Sequence, residues 1–514
     1  MHVLKTPPVL AALSLLCLFG LYIHVPNAVT FDVSFSLFAA QNAVAGNGLV
    51  TLEPNLPFPA DLSEIRLRWL TTWPPAVSLL YTVLLGTGAG TATRLLAAVS
   101  VAGGTFGWLS FFRASGLPKV SLQVLAVLIP WTSFPVFALR SFYNDHLLWG
   151  LTPWALLALL RLPDRESSTG PWNLLKLAGT GLLCGLPFGI KYSAFPLLPA
   201  AVGYVLLRNG PRISLAAMRE TLFFGLFVAA PPAGVFLTNR LLSGEGSAVL
   251  HGGFRLGSVG WAQVAHLWLP PLLDVTGWAK IFSRLPPGLQ WVAPVCGVGL
   301  TGCLALGVRQ ILGRAETKRS LWILGLFCGA VAGFLLCLTV FLGYFYDWTS
   351  ETRYYFPIYF GVFAFGLGLV VHPGVPRLLR VGLFLSAGLP ALASLCAAAA
   401  YPFRSAVEMP LPKSGLGGSK AEATGYAFLH TLPAPDLVLS EKPLPMNELG
   451  VPAVPWFYLE NHGQLTSSRP LKVWALLGPD ATERLRKMVG PGVRLVQPPV
   501  PDAFPWQFTE IEFP

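Results

Sequence analysis

Residues 73–88, WPPAVSLLYTVLLGTG, decide how the rest of the chain is threaded. The run is apolar but falls short of the roughly 20 residues a helix needs to cross a hydrocarbon core. Its proline pair, Pro74 and Pro75, suits the first turn of a helix. If the run crossed, Arg113 and Lys119 would change sides and every later loop would invert. The expectation is therefore a juxtamembrane helix over 73–88, lying in or dipping into the outer face.

The inversion matters because the loop charges are sorted. Apolar runs at about 7–25, 94–112, 120–138, 146–162, 175–190, 193–207, 220–238, 288–308, 320–345, 354–371 and 381–400 read as spans. With the N-terminus inside, the inner loops gather Arg113, Lys119, Arg161, Arg165, Lys176, Arg208, Arg212, Arg219, Arg309, Arg314, Lys318, Arg319, Arg377 and Arg380. The outer loops mix Asp32, Glu53, Asp61, Glu64, Asp145, Asp274, Asp347 and Glu351 with scattered arginines. That is the positive-inside pattern, and it accounts for the net charge of +11 without nucleic acid. Composition agrees: 11% of residues are charged, against about a quarter in soluble domains, and mean hydropathy is +0.60. The seven cysteines all fall in apolar runs without Cys-x-x-Cys spacing, so they read as small buried hydrophobes. The first run has a basic flank at Lys5 but no small-x-small cleavage site, and reads as an uncleaved anchor.

The expected fold is an all-α polytopic membrane protein, about eleven transmembrane helices plus outer-face juxtamembrane helices, with a small C-terminal α/β extracytoplasmic domain. The boundaries fall at 1–402 and 403–514, and the first outer loop runs from 26 to 93. Beyond Phe403 the chain turns polar and proline-rich. DLVLS (436–440), KVWALL (472–477) and VRLVQ (493–497) read as strands, and DATERLRKMVG (480–490) as a helix with Asp480 as its N-cap. Placement is expected in the plasma (inner) membrane, N-terminus cytoplasmic and C-terminal domain outside.

Polar groups near span ends are costly, which makes them functional candidates. On the outer side they are Asp32; then Arg140, Tyr143, Asn144, Asp145 and His146; then Lys191 and Tyr192; then Asp347, Glu351, Arg353, Tyr354 and Tyr355. Each has a plainer reading. Asp32 would cap the helix that SFSLFAAQNAVAGNGL predicts. Arg140 and Asp145 would form a local ion pair. Lys191 and Arg353 would snorkel to the headgroups. Trp69, Trp73, Trp261 and Trp268 would be interfacial belt residues. His251 and His266 lack metal-ligand spacing.

Residues 5–400 resemble the polytopic glycosyltransferases of the type C superfamily, the bacterial relatives of protein O-mannosyltransferase and aminoarabinose transferase. The resemblance rests on Asp32 after the first span and on the tract Ala40, Asn42, Gly46, Gly48, Leu49. It continues with Trp73-Pro74-Pro75, Arg94, GIKYSAFPLLPA (189–200) and ETRYYFPIYF (351–360). The chain departs from the family in FDVSFSLF, which lacks a nearby tyrosine, and in Asn144-Asp145 where relatives carry Ser-Glu. The resemblance implies a polyprenyl-phosphate-linked sugar donor, an acceptor lipid, glycan or protein, and inverting transfer on the non-cytoplasmic side. It makes Asp32 the general base. It assigns Lys191, Arg353, Arg94 and Arg140 to the donor phosphate, and Tyr143, Tyr192, Tyr354 and Trp73 to the acceptor cavity. Asp145 and Glu351 stand as a second acid or as metal ligands. A divalent cation, Mg2+ or Mn2+, shared by Asp32 and Asp145 is left open. The rival is a lipid or sugar transporter or flippase without catalysis, which predicts broken helices and repeated halves.

Overall fold

The computed structural model describes residues 6–28, 30–53, 60–64, 66–70, 74–163, 171–208, 214–243, 315–342, 356–403, 409–441, 444–456, 464–502 and 504–514. Isolated positions at 286, 299, 302–303, 306–307, 309 and 459 are described besides. The run 73–88 becomes α3 (Ala76–Leu84) and one tighter turn ending at Thr87. At 1.5 Å per residue α3 is about 14 Å long, under half the roughly 30 Å hydrocarbon thickness. Gly88, at φ +89°, then turns the chain directly into α4 (Ala89–Ala114).

Before α3 come α1 (Pro7–Tyr22) and α2 (Phe31–Val44). After α4 follow α5 (Lys119–Leu128), α6 (Ser133–Arg140), α7 (Asn144–Leu160), α8 (Pro171–Gly185), α9 (Leu197–Leu207) and α10 (Leu215–Ser243). The membrane part continues with α11 (Ala315–Leu342), α12 (Phe356–Leu369), α13 (Arg377–Leu383) and α14 (Leu389–Ala400). Among the described residues four helical stretches are long and apolar enough to cross a membrane: 89–114, 119–140, 215–243 and 377–403. Several expected spans are shorter helices, and the one expected at 288–308 lies largely outside the described residues.

Helices α4 and α7 run side by side in the same sense, and glycines make the contact. A Cβ on Gly104 would overlap the buried Trp149 ring, and one on Gly107 would lie 2.6 Å from Pro153. Small residues allow such backbone approach where lipid offers no hydrophobic drive between helices.

Residues beyond 408 build a five-stranded sheet. β6 (Leu437–Ser440) pairs in parallel with β7 (Ala453–Pro455) and β9 (Leu471–Leu477), while β11 (Gln507–Phe513) is antiparallel to β9 and β10 (Arg494–Val496). The three stretches expected as strands are β6, β9 and β10; β7 and β11 were not foreseen. Three helices accompany the sheet: α15 (Lys420–Leu429), α16 (Leu444–Glu448) and α17 (Pro479–Met488). The expected N-cap Asp480 is corrected: Gly478 is the cap, because Pro479 takes the first helical position and Asp480 falls inside the first turn.

Helix α2 is where the two parts meet. Val33, Leu37 and Ala40 pack into the membrane part, while Phe35, Phe38 and Ala39 pack into the core under the sheet. Between α2 and α3, two strands not foreseen in the sequence, β1 (Val50–Glu53) and β3 (Arg66–Trp69), form a hairpin. Gly46 and Gly48, both at positive φ, make the turn from α2 into β1. The short β2 (Ala60–Asp61) pairs in parallel with β8 (Leu465–Thr466).

A short strand pair, β4 (Met409–Pro410) with β5 (Gly417–Gly418), closes the contact. Its loop reaches the membrane helices: Gly90 N donates to Ser414 O at 3.0 Å, and Gly417 N donates to Asn27 O at 2.7 Å. Buried Glu448 holds the loop by accepting from Lys413 N at 2.9 Å and Ser414 N at 2.8 Å. Glu448→Ala is expected to cost about 1.5–3 kcal/mol, the range for hydrogen bonds to a charged group. Trypsin should then cleave after the exposed Lys413 much faster than in wild type; equal cleavage rates would show the loop held by other contacts.

Candidate active site

Four short tethers bring the start of α2 to the chain just ahead of α7. Asn27 Nδ2 donates to Ala138 O at 3.0 Å, and Asn27 Oδ1 accepts from Phe142 N at 2.8 Å. Thr30 Oγ1 donates to Phe142 O at 2.7 Å, and Ala28 N donates to Arg140 O. The N-cap of α2 is Thr30, whose hydroxyl also accepts from Val33 N at 3.4 Å. Asp32 is therefore not the cap; it is the second residue of the helix.

Asp145 occupies the equivalent place on α7, in the first turn behind the N-cap Tyr143. Tyr143 N donates to His146 Nδ1 at 2.8 Å, which steadies that turn. Both carboxylates thus stand at helix N-termini, where the aligned peptide dipoles favour negative charge.

Lys191 joins them. It lies in an extended residue between two tight turns, Leu186–Gly189 and Tyr192–Ala194, at the end of α8. Its Nζ donates to Asp32 Oδ2 at 2.8 Å and to Asp145 Oδ2 at 2.5 Å. Residue exposures are 1% for Asp32, 0% for Asp145 and 2% for Lys191. Charges this buried survive only when paired, so the three residues form one unit. Beside them Asn144 is fully buried, and among the described residues neither its amide nitrogen nor its oxygen has a hydrogen-bond partner.

The other expected residues are distributed around this unit. Arg94 Nη1 donates to Ile23 O at 3.3 Å, at the end of α1. The Arg140 guanidinium stacks 3.5 Å above the Tyr401 ring. The local Arg140–Asp145 pair is thereby corrected: Lys191 takes the carboxylate and an aromatic face takes the arginine. Snorkelling is likewise corrected for Lys191, whose ammonium points inward. Tyr143 stacks on Phe137. Tyr192 stacks on Phe236, and its hydroxyl accepts from Asn239 Nδ2 at 3.0 Å, while Asn239 Oδ1 accepts from Trp69 Nε1 at 3.0 Å. Trp73, Glu351, Arg353 and Tyr354, with His251 and His266, lie outside the described residues.

One oxygen of each carboxylate already accepts from Lys191, and among the described residues no three His, Cys, Asp or Glu side chains converge. Mg2+ would require near-octahedral oxygen ligands at about 2.0–2.1 Å.

Sequence reasoning named Asp32, Asp145 and Lys191 separately but missed Asn27 and Thr30. Their signal was faint: polar side chains in the apolar stretch between two helices, where only buried hydrogen bonds make them tolerable.

No family profile matches the chain, and no curated protein matches it by sequence. Solved structures do. The archaeal oligosaccharyltransferase AglB from Archaeoglobus fulgidus, in complex with an inhibitory peptide and a dolichol-phosphate, aligns at TM-score 0.50 and 9% identity, covering 91% of this chain and 69% of that one. ArnT from Cupriavidus metallidurans aligns at TM-score 0.49 and 14% identity over 98% and 97% of the two chains. The arabinofuranosyltransferase AftD from Mycobacteria aligns at 0.46 and 15% over 98% and 41%. At such identities the likeness is one of fold alone, shared with AglB over 91% of this chain.

Proposed function

We propose that the protein is an integral-membrane glycosyltransferase that moves a sugar from a polyprenyl-phosphate donor to an acceptor lipid, glycan or protein. The observation that carries this reading is the buried Asp32–Lys191–Asp145 unit, set at the junction of the membrane helices and the sheet domain. The fold shared with AglB supports it, and the dolichol-phosphate bound to that protein supports the donor class. The positive-inside pattern of the sequence supports a position for the unit on the non-cytoplasmic side.

In the proposed reaction the acceptor oxygen or nitrogen attacks the anomeric carbon from the face opposite the phosphate. The new glycosidic bond forms as the bond from carbon to phosphate oxygen breaks, and the polyprenyl phosphate leaves with the electron pair. Asp32 takes the acceptor proton. Single displacement inverts the anomeric centre. Lys191 holds Asp32 and Asp145 at fixed positions, so both carboxylates stay buried without repelling each other. Arg94, Arg140 and Arg353 remain as the cations for the leaving phosphate, and Tyr143, Tyr192, Tyr354 and Trp73 as cavity residues for the acceptor. No step requires a metal.

The test is to incubate membranes containing the protein with radiolabelled polyprenyl-phosphate hexoses, pentoses and aminopentoses. Release of polyprenyl phosphate matched by sugar on a new acceptor is expected. Movement of intact donor between leaflets, with no bond broken, would favour the transporter reading instead.

A further inference from the structure

Helix α4 is about 39 Å long by its 26 residues, and its two ends are chemically different. The Gly90 end lies under the sheet domain beside the carboxylate unit. At the far end a cavity of about 520 Å³ opens between the start of α1, the end of α4 and the start of α5. Pro7, Phe106, Leu109, Leu117 and Leu122 give it apolar walls. Arg113 and Lys119, both exposed, stand at its rim on either side of the α4–α5 turn. Thr6 and Ser110 add hydroxyls, and no carboxylate lines it. Among the described residues neither cation has an ion-pair partner, whereas Arg208 at the same end of the helix bundle pairs with Glu220.

Two unpaired cations above an apolar pocket, at the end of membrane helices, match one kind of molecule: a phosphate with hydrocarbon attached. Basic pockets between transmembrane helices bind anionic lipid headgroups, each cation near the surface contributing about 1 kcal/mol. We infer that this cavity is a binding site for an anionic glycerophospholipid of the leaflet opposite the carboxylate unit, with Arg113 and Lys119 on the phosphate and the α4–α5 walls on an acyl chain. The site is separate from the proposed donor site by the thickness of the bilayer, so it does not depend on the reaction assigned there.

The purified full-length protein in neutral detergent gives the test. Added phosphatidylglycerol is expected to raise the melting temperature more than phosphatidylcholine does. That difference should vanish in Arg113→Gln/Lys119→Gln and persist in Asp32→Asn. Both rim positions are exposed, so the double variant should fold. As a second measurement, a photoactivatable phosphatidylglycerol should label wild type within residues 106–122. Equal stabilisation by the two lipids would overturn the proposal, as would an undiminished difference in the double variant. So would labelling of 106–122 by a polyprenyl-phosphate probe in place of phosphatidylglycerol, which would make the cavity a donor-lipid site.

Discussion

Replacing Asp32 with asparagine is expected to lower sugar transfer by at least about a hundredfold, the lower range for loss of a general base, while the protein stays folded. Asparagine keeps an oxygen where Lys191 donates at 2.8 Å, so the link between α2 and α8 survives. What it loses is the ability to accept a proton from the attacking group. The comparison should use detergent-purified protein at matched melting temperature, with polyprenyl phosphate release as the readout. Transfer at the wild-type rate would reduce Asp32 to a structural partner of Lys191. The base would then have to be sought in Asp145 or in the stretch around Glu351.

Lys191→Met should damage stability as well as activity. The substitution preserves much of the side-chain volume but removes the ammonium that two buried carboxylates share. Breaking a buried ion pair by removing one partner costs about 3–5 kcal/mol, and here one ammonium serves both acids. Transfer should fall below detection in the same variant, because Asp32 loses the contact that fixes it. Asp145→Asn combined with Lys191→Met should melt higher than Lys191→Met alone, since only one unpaired acid remains. If Lys191→Met melts like wild type, the ammonium is not what keeps the carboxylates in place.

Much of this was legible before any coordinates. The apolar helices and a short helix within 73–88 follow from hydropathy and length, and the cost of polar groups at span ends singles out Asp32, Asp145 and Lys191 as candidates. The union of those charges was not legible, because Asp32 and Lys191 are 159 residues apart and no local pattern encodes their contact. Arg140 shows the limit from the other side. Its nearest acid in sequence, Asp145, was the natural partner, yet the last membrane helix returns Tyr401 beneath it. The β1–β3 hairpin was equally hidden, since its strands are short and the chain between them is proline-rich. Helix α2 defeats a simple periodicity argument for a physical reason. It is buried on two faces by two different cores, so its sequence has no polar stripe to read.

The parallel pairing of Ala60 with Leu465 sets a schedule for the newborn chain. Asn447, which donates to Ser34 Oγ at 2.5 Å, sets the same one. The helix that carries Asp32 leaves the ribosome well before the surfaces that complete its burial. Until residues 437–513 emerge, α2 has one apolar face without its cover and Ala60–Asp61 lacks its strand partner. A chain stalled or clipped ahead of residue 440 would keep its earlier helices and Asp32, but without the sheet-domain surfaces that cover α2. The late-arriving sheet domain thus couples the full burial of α2 to the synthesis of the residues beyond 408.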